Sequence, residues 1–318
     1  MAGRRRLRRA VTVAVIALAG IAVAVTAASF GYNLATDGPA PRPAGLLMAR
    51  SGGFGTRYRT WGTSGTPIVL VPGAFETADT FGALGAVLGK HHRVFAVDLT
   101  GTGYSAPSPP FSAGHLAAQV LSFLAAKGLT GRNAPILVGH SSGAAVAGLA
   151  ALRGPGTVRG VVFLDGDALP LGGPSFLGPV LVNPYRTTIL RLALGSSWLI
   201  RRIYGAQCGP SCAPLSPAGV RMWRLPLEQP GFEESMDYTL RHGIPNMTSA
   251  EFGRLRAVAV PKRVIYGEHD PQMPASDAKT TATRIGAPPP VTVPGRHLTM
   301  ISSPRQLAAA VQAFASAP

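Results

Sequence analysis

Cysteine is scarce in this sequence: 318 residues contain only Cys208 and Cys212, in the segment QCGPSCA. Two cysteines are too few for the disulfide framework of a small secreted domain, and their spacing is not the C-x-x-C of redox enzymes. No second Cys and His cluster lies near them in the sequence, so a zinc site is not expected. A local disulfide closing this Gly-Pro loop is plausible if the segment lies outside the cytoplasm.

Acidic residues are also few, since 14 Asp and Glu stand against 30 Lys and Arg, a formal net charge of +16. Five arginines lie between residues 4 and 9, directly before an apolar segment. Elsewhere basic residues form at most short groups such as Arg201-Arg202, without a basic and aromatic stripe. We therefore expect no nucleic-acid partner, and we expect the basic surface to face anionic lipid.

Charged side chains are absent from Ala10 to Phe30, a run of 21 residues. As a helix this segment spans about 30 Å, the thickness of the hydrocarbon core of a bilayer. The preceding arginines would stay on the cytoplasmic side and leave the rest of the chain extracytoplasmic. An uncleaved membrane anchor is favoured, because the run is long for a signal peptide. Cleavage near Thr26-Ala27-Ala28 is the alternative, and it would give a secreted protein.

The remaining sequence alternates between strand and helix patterns. We expect an N-terminal region over residues 1–36, a linker over 37–55 and one catalytic domain over 56–318. Short, continuous apolar runs predict strands that are buried on both faces, as in a parallel sheet. These runs are Pro67–Val71, Arg93–Leu99, Pro135–Val138, Val158–Leu164, Lys262–Tyr266 and Pro290–Val293. Helices are predicted at Thr77–Leu88, Ala113–Lys127, Ser142–Arg153, Ala275–Ile285 and Pro304–Ala317.

This alternation predicts an α/β fold with a mostly parallel central sheet and helices on both faces. The strand pattern stops over about residues 168–257, where a mainly helical lid insertion is expected. Within it, residues 184–204 mix apolar side chains with arginines. That segment is either an ordinary pair of lid helices or an amphipathic surface that meets a membrane or shapes an apolar acyl pocket.

The central motif is GHSSG at residues 139–143, a G-x-S-x-G pattern between the apolar run PILV and a strong helix former. A serine at such a strand-to-helix turn projects its Oγ out of the sheet, and small residues two positions away permit the turn. Ser141 is thus the candidate nucleophile. The amide of Ser142, at a helix N-terminus, is a candidate oxyanion donor.

A nucleophilic serine needs a base, and His297 is the best of seven histidines because it follows the last predicted strand. The other six lie upstream, in the lid or near the expected acid, and His140 occupies the variable position of the motif. Asp270, at the end of KRVIYGEHD, is the favoured acid. Asp165 and Asp167 after an earlier strand stay open as rivals, with Glu268 and Asp277 as more remote alternatives.

A second oxyanion donor is expected from VPGAF at residues 71–75, which follows the first buried strand. Gly73 permits close backbone approach, and the amide of Ala74, or else of Phe75, is the candidate. A plain Pro-Gly turn would have the same sequence.

Taken together, these segments resemble the α/β-hydrolase superfamily, in particular its lid-bearing members. PIVLVPGAF is similar to the oxyanion strand and loop of that family, with Pro72 in place of the usual His. FAVDLTGTGYSAPS is similar to its Asp-x-x-Gly-x-Gly-x-Ser loop, and GHSSG, YGEHD and PGRH follow in the family's order. The resemblance spans residues 56–317. It implies a Ser141–Asp270–His297 triad with no cofactor or metal, and it implies no particular substrate.

One dinucleotide-like motif is rejected. Residues 101–106 match G-x-G-x-x-A after a strand, but PSPP follows, and such a segment cannot open the helix that binds a pyrophosphate. The expected function is therefore hydrolysis of an ester or related acyl bond through an acyl-enzyme, on a small-molecule acyl substrate. A peptidase or acyltransferase of the same fold, or a catalytically retired membrane-bound binding module, remains the alternative.

Overall fold

The computed structural model describes residues 2–166 and 181–316. Their strands form one sheet in the order β1-β2-β4-β3-β5-β6-β7-β8. The strands are β1 (Leu47–Ser51), β2 (Phe54–Trp61), β3 (Pro67–Val71), β4 (Arg93–Val97), β5 (Ile136–His140), β6 (Gly160–Leu164), β7 (Lys262–Gly267) and β8 (Val291–Val293). The pairs β1–β2 and β2–β4 are antiparallel, and all other neighbours are parallel.

Helices cover both faces of this sheet, and further helices form the N-terminus and the segment between β6 and β7. The described helices are α1 (Ala2–Ala35), α2 (Gly82–Leu88), α3 (Ala113–Ala126), α4 (Ser142–Arg153), α5 (Tyr185–Gly195), α6 (Ser197–Cys208), α7 (Pro217–Arg224), α8 (Phe232–His242), α9 (Ser249–Ala257), α10 (Ala275–Ile285), α11 (Thr299–Ser302) and α12 (Pro304–Ala315). Short 3₁₀ turns occupy Ala78–Phe81, Gly131–Asn133 and Leu225–Glu228. The predicted α/β fold with a mostly parallel central sheet is confirmed.

The continuous apolar runs of the central strands divide between two cores. In β3, Val69 and Val71 pack with α3 and α4, whereas Ile68 and Leu70 pack with α2 and α12 on the opposite face. Successive side chains of a strand point to opposite sides, so a strand with helices on both sides needs apolar residues throughout. This requirement accounts for the PIVLV type of sequence.

The strands β1 and β2 lie in a segment for which the sequence predicts a linker or shows no strand pattern. Residues 47–55 of the predicted linker form β1 and the start of β2, which pair antiparallel at the edge of the sheet. Only Ala49 of β1 is buried, because an edge strand covers little of the core. The pattern therefore lacked the continuous apolar run that identifies a central strand.

Among the described residues, five helices, α5 to α9, lie between β6 and β7. They occupy the described part of the region in which a helical lid was expected, and residues 167–180 lie outside the described ranges. The N-terminal helix α1 is long and apolar enough to cross a membrane, and its most apolar stretch is not covered by other parts of the protein. Such a helix is compatible with a membrane anchor or a signal sequence.

Candidate active site

Ser141 stands at the sharp turn between β5 and α4. Its backbone has φ 51° and ψ −128°, a strained conformation for a residue with a side chain. The flanking glycines are required by close packing: a Cβ on Gly139 would lie 2.2 Å from the carbonyl oxygen of Gly143. A Cβ on Gly143 would lie 2.4 Å from that of Pro72. The strain and the two glycines are the features of a nucleophile elbow.

His297 and Asp270 form a buried pair. His297 Nδ1 lies 2.8 Å from Asp270 Oδ2, and the two residues are only 5% and 4% exposed. The other carboxylate oxygen of Asp270 accepts a hydrogen bond of 2.8 Å from the amide of Gln272. Because His297 Nδ1 is hydrogen-bonded to Asp270, the Nε2 atom of His297 remains available to exchange a proton with a serine or a substrate.

Ser141 and His297 line the same cavity, which has a volume of about 450 Å³. Its wall is mostly apolar and combines the loop after β3 with side chains from the lid helices. The lining residues are Ala74, Phe75, Glu76, Ser141, Ser142, Leu190, Ala193, Leu194, Leu199, Ile200, Ile203, Tyr204, Gln207, Trp223, Leu227, Phe232, Ile244, Gln272, His297 and Leu298. Such a wall suits an apolar ligand group next to a few polar groups.

The other carboxylates that the sequence offers as the acid lie in different surroundings from Asp270. The Asp165 carboxylate is buried and accepts hydrogen bonds from the amide of Gly267, at 2.7 Å, and from the hydroxyl of Thr299. Glu268 pairs with His269 on the surface at 3.3 Å, and Asp277 lies in the first turn of α10. Among the described residues, only Asp270 has its carboxylate hydrogen-bonded to the His297 ring. Asp167 lies outside the described ranges.

The loop after β3 approaches the serine closely. A Cβ on Gly73 would lie 2.8 Å from the Ser141 Cβ, so only glycine allows this approach. Ala74 and Ser142 both line the cavity beside Ser141. Phe75, the other proposed donor, has a positive φ of 64° and is 43% exposed.

His140 is the residue whose role sequence reasoning missed. Its ring is fully buried behind Ser141, with Nδ1 2.8 Å from Glu76 Oε2 and Nε2 2.8 Å from the backbone oxygen of His297. Glu76 Oε2 also accepts the amide hydrogen of Gly73 at 2.9 Å. His140 thus joins the loop after β3 to the backbone of the candidate base. A histidine in the variable position of GHSSG, with a glutamate three residues after Gly73, was the only available signal.

The contacts of His140 indicate a doubly protonated ring. A carbonyl oxygen only accepts, so Nε2 must donate to it, and Nδ1 faces a carboxylate. Burial alone would lower the pKa of His140. The Glu76 charge and hydrogen bond, together with the Asp165 charge and the hydrogen bond to the His297 backbone, raise this pKa instead. Burial conversely favours a neutral Glu76, but His140 keeps the pKa of that carboxyl below its usual value. The pair is therefore a buried ion pair.

Asp165 completes this buried cluster. Its Oδ2 lies 3.9 Å from His140 Nε2. Burial raises the pKa of Asp165, the positive charge of His140 lowers it, and the negative charge of Asp270 raises it again; the net direction is upward. A neutral Asp165 leaves His140 with Glu76 as its ionised partner.

The rejected dinucleotide motif has a structural role. Residues 101–106 form turns and open no helix, since α3 begins only at Ala113. The carboxylate of the buried Asp98 accepts hydrogen bonds from the amides of Ala78 and Tyr104, both at 2.7 Å. A Cβ on Gly103 would lie 2.3 Å from that carboxylate. The loop therefore wraps around Asp98.

Cys208 and Cys212 are joined in a disulfide at the end of α6. The local disulfide considered from the sequence is therefore present in the structure. Within residues 2–166 and 181–316, no group of three or more His, Cys, Asp or Glu side chains is arranged to hold a metal ion.

Comparison with known proteins places the chain in a family. Residues 68–310 match the alpha/beta hydrolase family, which is well over half of the sequence, and the chain belongs to it. It is 33% identical over 124 residues to N-formylmaleamate deformylase of Pseudomonas putida, covering 38% of this chain and 44% of that protein. It is also 33% identical over 105 residues to ethanol acetyltransferase 1 of Cyberlindnera fabianii, covering 32% of this chain and 30% of that protein. The chain thus spans less than half the length of these curated relatives.

A solved structure matches over nearly the whole length. The crystal structure of a bacterial membrane phospholipase A superposes with a TM-score of 0.65 at 20% identity, covering 98% of this chain and 97% of that one. At this identity the likeness concerns the fold. The chain is thus a hydrolase-fold protein whose structural similarity extends into the N-terminal helix.

Proposed function

We propose that this protein is a membrane-anchored serine hydrolase that cleaves carboxylic esters with apolar acyl chains. The observation that carries the proposal is the meeting of three features at one cavity: a strained serine, an Asp-paired histidine and an apolar wall. Ser141 is the nucleophile, His297 the general base and Asp270 the group that fixes the imidazole.

The reaction runs through an acyl-enzyme. His297 Nε2 takes the proton of the Ser141 hydroxyl while Oγ bonds to the ester carbonyl carbon, which makes a tetrahedral oxyanion. His297 then gives this proton to the leaving alcohol oxygen as the carbon–oxygen bond breaks. Water next attacks the acyl-enzyme with His297 again as base. Transfer of the proton back to Ser141 Oγ releases the carboxylic acid and restores the enzyme.

The oxyanion is held by the amides of Ala74 and Ser142. Both residues line the cavity beside Ser141, and Ser142 is the first residue of α4. The first amides of a helix have no partner within the helix and lie at the positive end of its dipole. They therefore stabilise the negative charge that develops in the transition state.

The substrate class follows from the wall of the cavity. Leu190, Ile200 and Trp223 form part of this wall. An aliphatic acyl chain bound there buries its methylene groups, and each buried methylene stabilises binding by about 0.8 kcal/mol. The uncharged run within α1 supports anchoring, with the five arginines before it on the cytoplasmic side. The catalytic domain is then extracytoplasmic, where a disulfide such as Cys208–Cys212 persists.

A chromogenic ester series tests this function. The full chain in detergent is assayed against p-nitrophenyl esters from two to sixteen acyl carbons, beside Ser141→Ala and His297→Ala. We expect activity that rises with chain length up to an optimum, and a loss of at least about 10³-fold in both variants. A folded full chain that turns over no ester would contradict the proposal.

Acyl transfer is the second candidate, favoured by the partial similarity to an enzyme named ethanol acetyltransferase. It would use the same acyl-enzyme but pass the acyl group to an alcohol oxygen instead of water. The two reactions are separated by adding ethanol to the ester assay and quantifying acid and ethyl ester. We expect the free acid as the main product.

A further inference from the structure

The start of helix α5 lies beside the apolar part of α1. The hydroxyls of Thr26 and Tyr185 are 2.5 Å apart. Asn33 Nδ2 donates to the backbone oxygen of Pro184 at 2.9 Å, and the Thr188 hydroxyl donates to Asn33 Oδ1 at 2.8 Å. These bonds fix the height of α5 along α1.

The contact between Tyr185 and Thr26 lies within the part of α1 that is expected to cross the membrane. Thr26 precedes Phe30, the last residue of the uncharged run, by four residues, or about 6 Å along a helix. When the run fills the hydrocarbon core, Tyr185 is level with its outer part. Arg191, one to two turns further along α5, contacts Asn33 O at 2.7 Å and Asp37 at 3.3 Å, so α5 runs along α1 toward the outer surface of the bilayer.

The exposed side chains of α5 agree with this position. Ile189 and Leu192 are 52% and 55% exposed, and neither lines the cavity above Ser141. Each follows an α1-contacting residue, Tyr185 or Thr188, by four positions and lies on the same side of the helix. Two large apolar side chains beside a membrane-spanning helix are stabilised by lipid and not by water.

A second cavity, of about 570 Å³, lies at the junction of α1 with the lid. We call it the junction cavity; Tyr32, Asp37, Arg191 and Gly195 are among its lining residues. It shares Leu194 and Leu227 with the cavity above Ser141. The two cavities are therefore neighbours, separated by apolar side chains of the lid.

Resting on the proposed hydrolase function, we propose that α5 lies in the interfacial layer of the membrane that α1 crosses. Acyl esters of membrane glycerolipids pass from this layer through the junction cavity, between Leu194 and Leu227, to Ser141. The polar rim of the junction cavity, with Arg191 and Glu233 paired at 2.6 Å, accommodates the lipid headgroup. The apolar wall beyond it accommodates the chain.

The position of α5 is tested with a spin label at Ile189→Cys in the full chain, reconstituted in phosphatidylcholine and phosphatidylglycerol nanodiscs. Cys208 and Cys212 are the only native cysteines and are joined, so the introduced thiol is the only free one. Leu47→Cys on β1 is the matched control, because Leu47 is 45% exposed and lies outside the lid. We expect oxygen to reach the Ile189 label, and a water-soluble nickel chelate to reach mainly the Leu47 label.

Equal access of the nickel chelate to both labels would overturn the position of α5. This measurement needs no turnover, so its failure is distinct from failure of the hydrolase function, which the soluble ester assay reports by itself.

The route is tested by filling the junction cavity. Gly195→Trp adds a ring where a Cβ meets nothing within 4 Å, and Gly195 does not line the cavity above Ser141. Gly205→Trp is the control, because its Cβ is equally free and it lines neither cavity. We expect only Gly195→Trp to slow hydrolysis of phosphatidylglycerol in nanodiscs, by roughly tenfold, with turnover of p-nitrophenyl acetate retained. Unchanged lipid hydrolysis, or an equal loss on both substrates, would overturn the route.

Discussion

His140 donates a hydrogen bond from Nε2 to the backbone oxygen of His297 across 2.8 Å. The residue before the candidate nucleophile therefore supports the candidate base directly. Its Nδ1 is bound at the same time to Glu76, which also holds the amide of Gly73. One buried ion pair thus connects the elbow, the loop after β3 and the loop that carries His297, and it aligns groups that are far apart in the sequence.

Removal of one partner of this pair is expected to destabilise the protein strongly. His140→Ala leaves the Glu76 carboxylate buried without its cation, which costs about 3–5 kcal/mol. The double variant Glu76→Gln/His140→Gln removes both charges and is expected to recover a large part of that loss. Chemical unfolding of the full chain in detergent measures the free energy of unfolding of both variants. Additive losses in the double variant would contradict the coupling of the two residues.

Thermal stability is expected to fall as the pH rises from 6.5 to 9. The pKa of His140 is raised to about 9 in the folded state, so its contribution is complete below the unfolded value of about 6.5 and is lost through about 9. Asp165, with a pKa raised to about 8, adds to this loss because its ionisation is disfavoured in the folded protein.

The control for this pH dependence is His140→Gln, which cannot titrate. Its melting temperature is expected to start lower and to change less between pH 6.5 and 9 than that of the unmodified chain. Parallel curves for the two proteins would show that His140 is not the titrating group.

Asp270 and Asp165 are both buried aspartates, and their conservative variants separate a triad acid from a structural carboxylate. Asp270→Asn is expected to lower kcat by about 10⁴-fold, because an amide stabilises the wrong imidazole tautomer and no imidazolium. Asp165→Asn keeps an oxygen acceptor for the Gly267 amide and places an NH₂ group that can donate to the Thr299 hydroxyl oxygen in place of the carboxylate oxygen that accepts from it. This variant is expected to retain activity within about tenfold. Steady-state assays with a soluble ester measure kcat for both variants. A larger loss of kcat in Asp165→Asn than in Asp270→Asn would make Asp165 the triad acid.

The apolar wall is expected to set the preferred acyl length. Leu190→Trp reduces the volume of the cavity and should shift the optimum to shorter esters, with little change for acetate. Leu192→Trp is the matched control on the same helix, since Leu192 is 55% exposed and does not line the cavity. The same shift in both variants would mean that the acyl chain lies elsewhere.

Most of the fold could be predicted because the central strands obey a simple rule. A strand covered on both faces must be apolar throughout, and PIVLV meets that rule visibly. The edge strand β1 has only Ala49 buried, so its sequence carries no such signal and predicts a linker.

Ser141 and His297 could be proposed from local turn chemistry and chain order. Asp270 could be favoured as the acid but not separated fully from Asp165, because both follow a buried strand; the pairing of Asp270 with the His297 ring is a long-range contact that only the structure shows. The role of His140 was hidden for the same reason: its partners, Glu76 and the backbone of His297, are 64 and 157 residues away. Such long-range pairing leaves no periodic pattern in a sequence.

Covalent labelling of the full chain with a fluorophosphonate tests the central claim most directly. The reagent phosphonylates only a serine that is activated by a base, and peptide mass spectrometry locates the adduct. We predict one adduct, on Ser141, in the unmodified chain and in Asp165→Asn, and none in Ser141→Ala or His297→Ala. An adduct on another serine, or labelling that persists in folded His297→Ala, would contradict the account.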